Sequence, residues 1–217
     1  MSVKRLIAAL VALVIIASLS GCISKVWVYD FVEEGSITRG DEKWRPRNIN
    51  YYFSNGLVLD ENEISGPHSY SGDFTVSVDF YLVTSASDTS YIEFLLTASE
   101  DDVFNGVIGG MFLEGIGSPG STFNLFYYTP ASGAKYPGSV PIASELDEVG
   151  SNTMAMKKVG DVLKFYINGT LVPLSLEIAE DDGASLCPML GCYYTVSDNT
   201  VFEKVTIKYK GDQILID

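Results

Sequence analysis

Carboxylates within predicted strands are the first side chains whose type suggests chemistry. Paired carboxyl groups cleave glycosidic bonds, one acting as the acid and the other as nucleophile or base. Glu93 lies in the apolar run 91–95, and Asp79 lies in an earlier strand pattern. The sequence does not reveal how those two strands pair, and outward carboxylates on a solvated strand face are the ordinary interpretation. Catalysis by Glu93 and Asp79 is therefore the weaker hypothesis.

Aromatic side chains are the second candidate set, because sugar recognition typically places a ring against the apolar face of a pyranose. The chain has 13 tyrosines, several of them in adjacent pairs. Adjacent residues of a strand point to opposite faces, so one member of each pair is expected in the core. The candidate ligand-binding residues are Trp44, on a polar loop, and Tyr128, Tyr136 and Tyr194. Packing in the core is the competing interpretation for each of them.

The N-terminus has the pattern of a secretory signal. Lys4 and Arg5 precede an apolar run at 6–17, which ends in Leu-Ser-Gly-Cys at 19–22. This ending resembles the lipobox of prokaryotic lipoproteins, in which cleavage precedes a cysteine that carries a diacylglycerol. We predict lipidation of Cys22 and a location on the extracytoplasmic face of the cell membrane, anchored but not spanning. An ordinary cleaved signal with an incidental cysteine is the alternative.

The charge of the mature chain limits its partners. A signal peptide at 1–21 leaves a tether at 22–25 and a single domain at 26–217, long enough for a real core. Without Lys4 and Arg5, 12 basic side chains face 28 acidic ones, which gives a net charge of −16. Such a chain repels nucleic acid, so nucleic-acid function is excluded.

The remaining cysteines, Cys187 and Cys192, flank a turn-like insert at 188–191. In a compartment that permits oxidation, a disulfide between them is favoured over two free buried thiols. Zinc binding is excluded, because two thiols at this spacing and one histidine, His68, do not make a zinc site.

The elements that must position these residues are short strands joined by turns. Between the turn dipeptides at 160–161 and 168–169, apolar residues alternate with polar ones, which predicts a three-strand meander over 154–174. Further strands are predicted at 24–31, 51–53, 57–59, 74–82, 91–98, 106–113, 123–128, 192–196 and 201–209, with one helical turn at 144–149. The fold class is all-β.

Several motifs occur in an order that resembles the concanavalin A-like lectin/glucanase superfamily, in particular its laminin G-like members. They are Asp30-Phe31, Trp44, Asn-Gly-Leu-Val-Leu at 55–59, Ser-Gly-Asp-Phe-Thr-Val at 71–76, Lys-Phe-Tyr-Ile-Asn-Gly at 164–169 and a closing strand at 202–209. The resemblance implies a jelly-roll β-sandwich of two antiparallel sheets with minimal helix. It does not by itself assign an activity.

The resemblance also frames the functional hypotheses. Retaining glucanases of the superfamily carry a Glu-x-Asp-x-(x)-Glu strand, which this sequence lacks. Laminin G-like relatives usually bind calcium, which makes the acidic runs 100–102 and 180–182 candidate ligands, although no cofactor is otherwise expected. The leading hypothesis is a non-catalytic carbohydrate-binding or surface-recognition domain whose partners are a glycan or cell-surface polymer and the membrane. The alternatives are a glycoside hydrolase or lyase, and a structural or adhesive protein-binding module.

Overall fold

The computed structural model describes residues 24–83, 91–98, 107–114, 122–129, 133–135, 138–142, 145–147, 149–178, 185–193 and 200–216. Cys22, Tyr136, Tyr194 and the acidic runs at 100–102 and 180–182 lie outside these described residues. Over the described ranges, no helix combines the length and apolar character that crossing a membrane requires.

The described chain consists almost entirely of strands. In chain order the elements are β1 (Lys25–Asp30), α1 (Phe31–Glu34), β2 (Thr38–Arg39), β3 (Glu42–Lys43), β4 (Arg45–Pro46), β5 (Tyr51–Phe53), β6 (Leu57–Leu59), β7 (Asn62–Ser65), β8 (His68–Tyr70), β9 (Phe74–Leu82), β10 (Tyr91–Thr97), β11 (Val107–Glu114), β12 (Thr122–Thr129), β13 (Gly133–Lys135), β14 (Ser139–Pro141), β15 (Gly150–Val159), β16 (Val162–Ile167), β17 (Thr170–Glu177), β18 (Cys187–Tyr193), β19 (Thr200–Tyr209) and β20 (Gln213–Leu215).

Most strands belong to two eight-stranded antiparallel sheets. The first sheet has the order β17-β16-β15-β9-β19-β6-β5, with β1 also paired to β19. The second has the order β13-β12-β11-β10-β18-β7-β4, with β14 also paired to β12. Fully buried rings from both sheets meet in one core, among them Phe80, Phe165 and Phe202 of the first and Phe94 and Phe123 of the second. The predicted all-β sandwich is confirmed.

Alternation places one face of each strand in this core. In β9 every second residue from Phe74 to Leu82 is buried, as the period-two pattern predicts. The meander β15-β16-β17 is also confirmed, and its second turn places Asn168 and Gly169 at φ 48° and 82°. Asparagine and glycine both tolerate this left-handed backbone, which suits a two-residue hairpin.

Strand β18 departs from the sequence prediction. The run 188–191 is not a turn but the middle of a strand that pairs with β10 on one side and β7 on the other. Pro188 fits because β7 ends at Ser65, so no ladder donor is needed there, and the Pro188 carbonyl accepts from the Gly66 amide at 2.8 Å. The strand predicted at 192–196 therefore begins earlier.

The predicted helical turn at 144–149 is not formed at its described residues, 145–147 and 149, which have turn, bend or irregular backbone. Helix α1 occupies a different place, directly after Asp30. The Asp30 carboxylate accepts from the amides of Val32 and Glu33, each at 3.0 Å, and thereby caps the helix.

Candidate functional site

Five residues lie side by side across the second sheet and point away from the core. They are Glu63 on β7, Gly191 on β18, Glu93 on β10, Phe112 on β11 and Asn124 on β12, and we call them the outer row. The next residue along or back on each strand is buried: Ile64, Leu190, Phe94, Met111 and Leu125. Because alternate residues face opposite sides of a sheet, the outer row faces outward.

Gly191 allows the two glutamates of the outer row to approach each other. A Cβ atom at Gly191 would lie 3.0 Å from Glu93 Oε2 and 3.3 Å from Glu63 Cγ. It would also lie 3.2 Å from Cε2 of Tyr193. Because glycine has no side chain, the space above β18 at this position is occupied by the side chains of Glu63 and Glu93.

Glu63 is tightly held. Arg47 Nη1 lies 3.2 and 3.3 Å from its two carboxylate oxygens, and the Tyr193 hydroxyl donates to Oε1. The backbone adds a further link, because the Arg47 amide donates to the Glu63 carbonyl at 2.9 Å. Only 8% of Glu63 is exposed. Both carboxylate oxygens are thus engaged in an ion pair and hydrogen bonds.

Glu93 lies in a different environment from Glu63. Burial and, to a smaller extent, the negative charge of the adjacent Glu63 together raise the pKa of the Glu93 carboxyl to about 7, against the opposing effect of Arg47. Near neutral pH the Glu93 carboxyl is therefore divided between its neutral and charged forms. In the neutral form it both donates and accepts hydrogen bonds.

The outer row lies between a covered and an open part of the same sheet face. On one side its neighbours Ser65, Met189 and Leu95 are buried although they point outward. On the other side Glu114 is exposed and Thr122 is half-buried, and Asn124 Nδ2 donates to both at 3.3 Å. Phe112 thus lies on the strand between the one that carries the Glu93 carboxyl and the one that carries the Asn124 amide.

Solved structures share this architecture. An endo-β-1,3-glucanase from Pyrococcus furiosus matches with a TM-score of 0.58 at 12% identity, covering 84% of this chain and 93% of that chain. A prokaryotic β-1,3-1,4-glucanase (lichenase) derived from a mouse hindgut metagenome matches at 0.56 with 11% identity, covering 87% and 100%. The carbohydrate recognition domain of Emp46p, in its potassium-bound form, matches at 0.54 with 12% identity, covering 78% and 89%. The chain has the concanavalin A-like jelly-roll fold.

This identification confirms the fold that the motif order predicted. No protein-family model and no curated protein matches the sequence. At identities of 11–12% the likeness concerns the jelly roll alone, so the function of the chain is argued from its own residues.

The jelly roll separates the two carboxylates predicted as a catalytic pair. Glu93 lies on the second sheet, whereas Asp79 lies on β9 of the first sheet. Asp79 is occupied there by Lys204 Nζ at 3.2 Å and by a hydrogen bond from Thr153 Oγ1 at 2.9 Å. Pairing Glu93 with Asp79 is therefore wrong, and the carboxylate that lies next to Glu93 across β18 is Glu63.

Trp44 is not a binding platform, which corrects the prediction from its polar sequence surroundings. Its side chain is completely buried, and its ring centroid lies 5.2 Å from that of Phe31 and 5.8 Å from that of Tyr29. The backbone amide of Trp44 donates to the Ile37 carbonyl at 2.8 Å, and this hydrogen bond holds the loop against the core. Tyr128 lies on β12, where the side chain is outside the described part of the structure.

The predicted disulfide between Cys187 and Cys192 is wrong, because both are buried thiols. They lie near opposite ends of β18, five positions apart along the strand, which places their Cα atoms about 17 Å apart. A disulfide requires Cα atoms within about 7 Å. Burial also raises the pKa of the Cys187 thiol to about 12, which makes it unreactive.

Metal ligation has no support among the residues that the structure describes. Within those ranges no three histidine, cysteine, aspartate or glutamate side chains converge. The candidate calcium ligands at 100–102 and 180–182 are outside them.

Proposed function

We propose that the chain is a membrane-anchored extracytoplasmic protein whose outer row binds a glycan without cleaving it. The observation that carries this proposal is the position of Phe112, half-buried between Glu93 and Asn124 on neighbouring strands. A ring supplies an apolar platform for a pyranose, and a flanking carboxyl and amide supply hydrogen-bonding partners for its hydroxyl groups. Such a combination of apolar surface and a few polar groups is typical of ligand sites.

The engagement of Glu63 supports binding over hydrolysis. A glycoside hydrolase needs a second carboxylate that is free to attack the sugar or to activate water. Both oxygens of Glu63 accept hydrogen bonds from Arg47, and one also accepts from Tyr193. Glu93 alone then supplies an acid without a partner nucleophile.

Hydrolysis is the second candidate function, favoured by one specific observation. Two carboxyl groups in different environments meet over Gly191, and the pKa of Glu93 is raised to about 7. A carboxyl with such a pKa suits a general acid at neutral pH.

The charge of the site predicts the class of glycan. Among the described side chains of the outer row and its neighbours toward Glu114, three are acidic, Glu63, Glu93 and Glu114, and the guanidinium of Arg47 pairs with Glu63. We expect neutral hexose oligosaccharides to bind at least tenfold more tightly than uronic-acid oligosaccharides of equal length, because like charges repel. A glycan array probed with the full chain at pH 7 measures this preference.

The same array experiment separates the two candidate functions. Neutral oligosaccharides bound without release of reducing ends support the binding function. If reducing ends accumulate and Glu93→Gln abolishes their release, the protein is a hydrolase and the non-catalytic proposal is wrong. Equal binding of neutral and uronic-acid oligosaccharides would contradict the charge argument.

The anchor proposal rests on the sequence at 19–22 and on the start of the fold. Strand β1 begins at Lys25, three residues after Cys22, a length of chain that can span at most about 10 Å. A lipid on Cys22 would therefore hold the jelly roll close to the bilayer.

We expect the full-length chain made in a bacterial host to partition into the detergent phase of a Triton X-114 extract. The Cys22→Ser variant should move to the aqueous phase, because it has no thiol to acylate. The matched control is Ser24→Ala, which should partition like the wild type. Detergent-phase recovery of Cys22→Ser chains that have lost residues 1–21, as judged by their mass, would contradict lipidation at this residue.

A further inference from the structure

A groove on the first sheet, on the other side of the sandwich from the outer row, has the composition of a second ligand site. It has a volume of about 480 Å³, and valine side chains complete its floor and walls. We call it the tyrosine groove, defined by Tyr52, Ser54, Asn55, Tyr81 and Glu203. The hairpin β5-β6, the end of β9 and the start of β19 form it.

Two backbone features build the tyrosine groove. Gly56, at φ 137°, brings the hairpin directly against β19, since a Cβ there would lie 2.6 Å from the Phe202 carbonyl oxygen. Immediately afterwards the register of β19 against β9 shifts between Phe202 and Lys204. Glu203 is the extra residue of this bulge, and bulges redirect side chains at functional positions. The bulge turns the Glu203 carboxylate into the groove.

The two tyrosines differ from the tyrosines of the core. Tyr52 is 38% exposed and Tyr81 is 37% exposed, whereas Tyr29 and Tyr70 are completely buried. Their rings therefore offer apolar surface to solvent on two walls of the same groove. A large ring exposed in a concave site contributes binding area at low cost in side-chain entropy.

The polar groups of the groove match sugar hydroxyls. Ser54 and Asn55 lie in the hairpin turn, where the Asn55 backbone is left-handed at φ 54°. They supply a hydroxyl and an amide, and Glu203 supplies a carboxylate. Asp79 and Asp30 add negative potential at Glu203, and Lys204 offsets it. An acidic groove with two rings favours a neutral sugar over an anionic one.

We propose that the tyrosine groove is a second glycan-binding site, which takes a neutral hexopyranose against Tyr52 and Tyr81. The inference rests on the proposed function only for the class of ligand, since its residues and those of the outer row belong to different sheets. One short oligosaccharide cannot reach both sites. A polysaccharide that engages both gains avidity, because the second contact is made at a high effective concentration.

The test follows the tyrosine rings of the full chain directly by NMR. The rings are labelled with ¹³C and assigned with Tyr→Phe variants, and the probes are neutral tetrasaccharides of mixed-linkage β-1,3-1,4-glucan, β-mannan and β-galactan. We expect the resonances of Tyr52 and Tyr81 to shift with at least one probe. The control is Tyr166 on β16, a half-buried outward ring of the same sheet beyond the groove, which should not move.

Variants give the expected size of the effect. Tyr52→Ala and Tyr81→Ala should each weaken binding at the groove by about fivefold, since each removes one ring face. Tyr52→Phe keeps the ring and should retain binding, which separates loss of the ring from loss of the fold.

The outcomes distinguish the second site from the proposed function. Shifts of Tyr52 and Tyr81 that persist in Phe112→Ala support the tyrosine groove, even if the outer row binds nothing. If the resonances of Tyr52 and Tyr81 do not shift with any of the three probes, the inference is overturned. This holds even if Phe112→Ala abolishes binding and so supports a glycan site at the outer row. Shifts of Tyr166 equal to those of Tyr52 also overturn it, because they indicate non-specific contact.

Discussion

Replacing Phe112 with alanine is expected to weaken glycan binding at the outer row by about tenfold and to leave the fold intact. The Phe112 ring is half-buried and points away from the core, so its removal takes away the apolar platform without opening a core cavity. The carboxyl of Glu93 and the amide of Asn124 remain, but they then face a sugar that has no surface to stack on. Calorimetric titration with a neutral oligosaccharide measures the change.

The design of this titration reduces the contribution of the second site. Phe112→Ala is compared with its parent in a Tyr52→Ala background, in which the tyrosine groove is weakened. Leu171→Ala is the matched control, because Leu171 is 52% exposed and lies on β17 of the other sheet. If Phe112→Ala binds the oligosaccharide with unchanged affinity, Phe112 is not part of the binding site.

The second large effect concerns the stability of the folded chain as a function of pH. The folded-state pKa of Glu93 is about 7, above its ordinary value of 4.5. Between these two values the folded chain binds a proton that the unfolded chain has lost. The stability contributed by Glu93 is therefore present below pH 4.5 and is lost as the pH rises toward 7. The full loss is on the order of 2 kcal/mol after allowance for the partial exposure of the side chain.

Glu93→Gln removes this dependence, because the amide stays neutral at every pH. We compare the free energy of unfolding of the variant with that of the wild type at pH 5 and at pH 8. The difference should change by about 2 kcal/mol in favour of the variant from the lower pH to the higher one. Urea unfolding at the two pH values measures the difference. Ser139→Ala is the control, since this exposed residue of the same sheet carries no titratable group in either form. A Glu93→Gln effect of equal size at pH 5 and pH 8 would show that Glu93 does not titrate in this range.

The first sheet was largely predictable because its signals are local. The alternation over 74–82 and the Asn168-Gly169 turn each depend on a few consecutive residues, and the structure has them as expected. The part of β18 at 187–191 is not predicted for the same reason, since Pro188 and Gly191 are local turn signals whose effect is overridden by pairing with strands distant in sequence. The alternation of apolar and polar residues is also absent from β18, because the side chains on both faces of this strand are buried.

The outer row was beyond the reach of sequence reasoning. Its residues come from five strands between positions 63 and 191, so their meeting depends on the register of four strand pairs. A shift of one residue in any pair would turn that strand's side chain toward the core. Glu93 was identified from its strand, whereas the roles of Glu63, Arg47 and Gly191 follow only from the pairing. Trp44 shows the converse error, in which polar neighbours concealed a core residue.

The most direct test of the account is a crystal structure of the full chain with a neutral oligosaccharide that it binds on the array. We predict a pyranose ring stacked on Phe112, with hydroxyl groups bonded to Glu93 and Asn124, and an intact glycosidic linkage. An empty outer row at saturating oligosaccharide, or a cleaved product held between Glu63 and Glu93, would contradict the account.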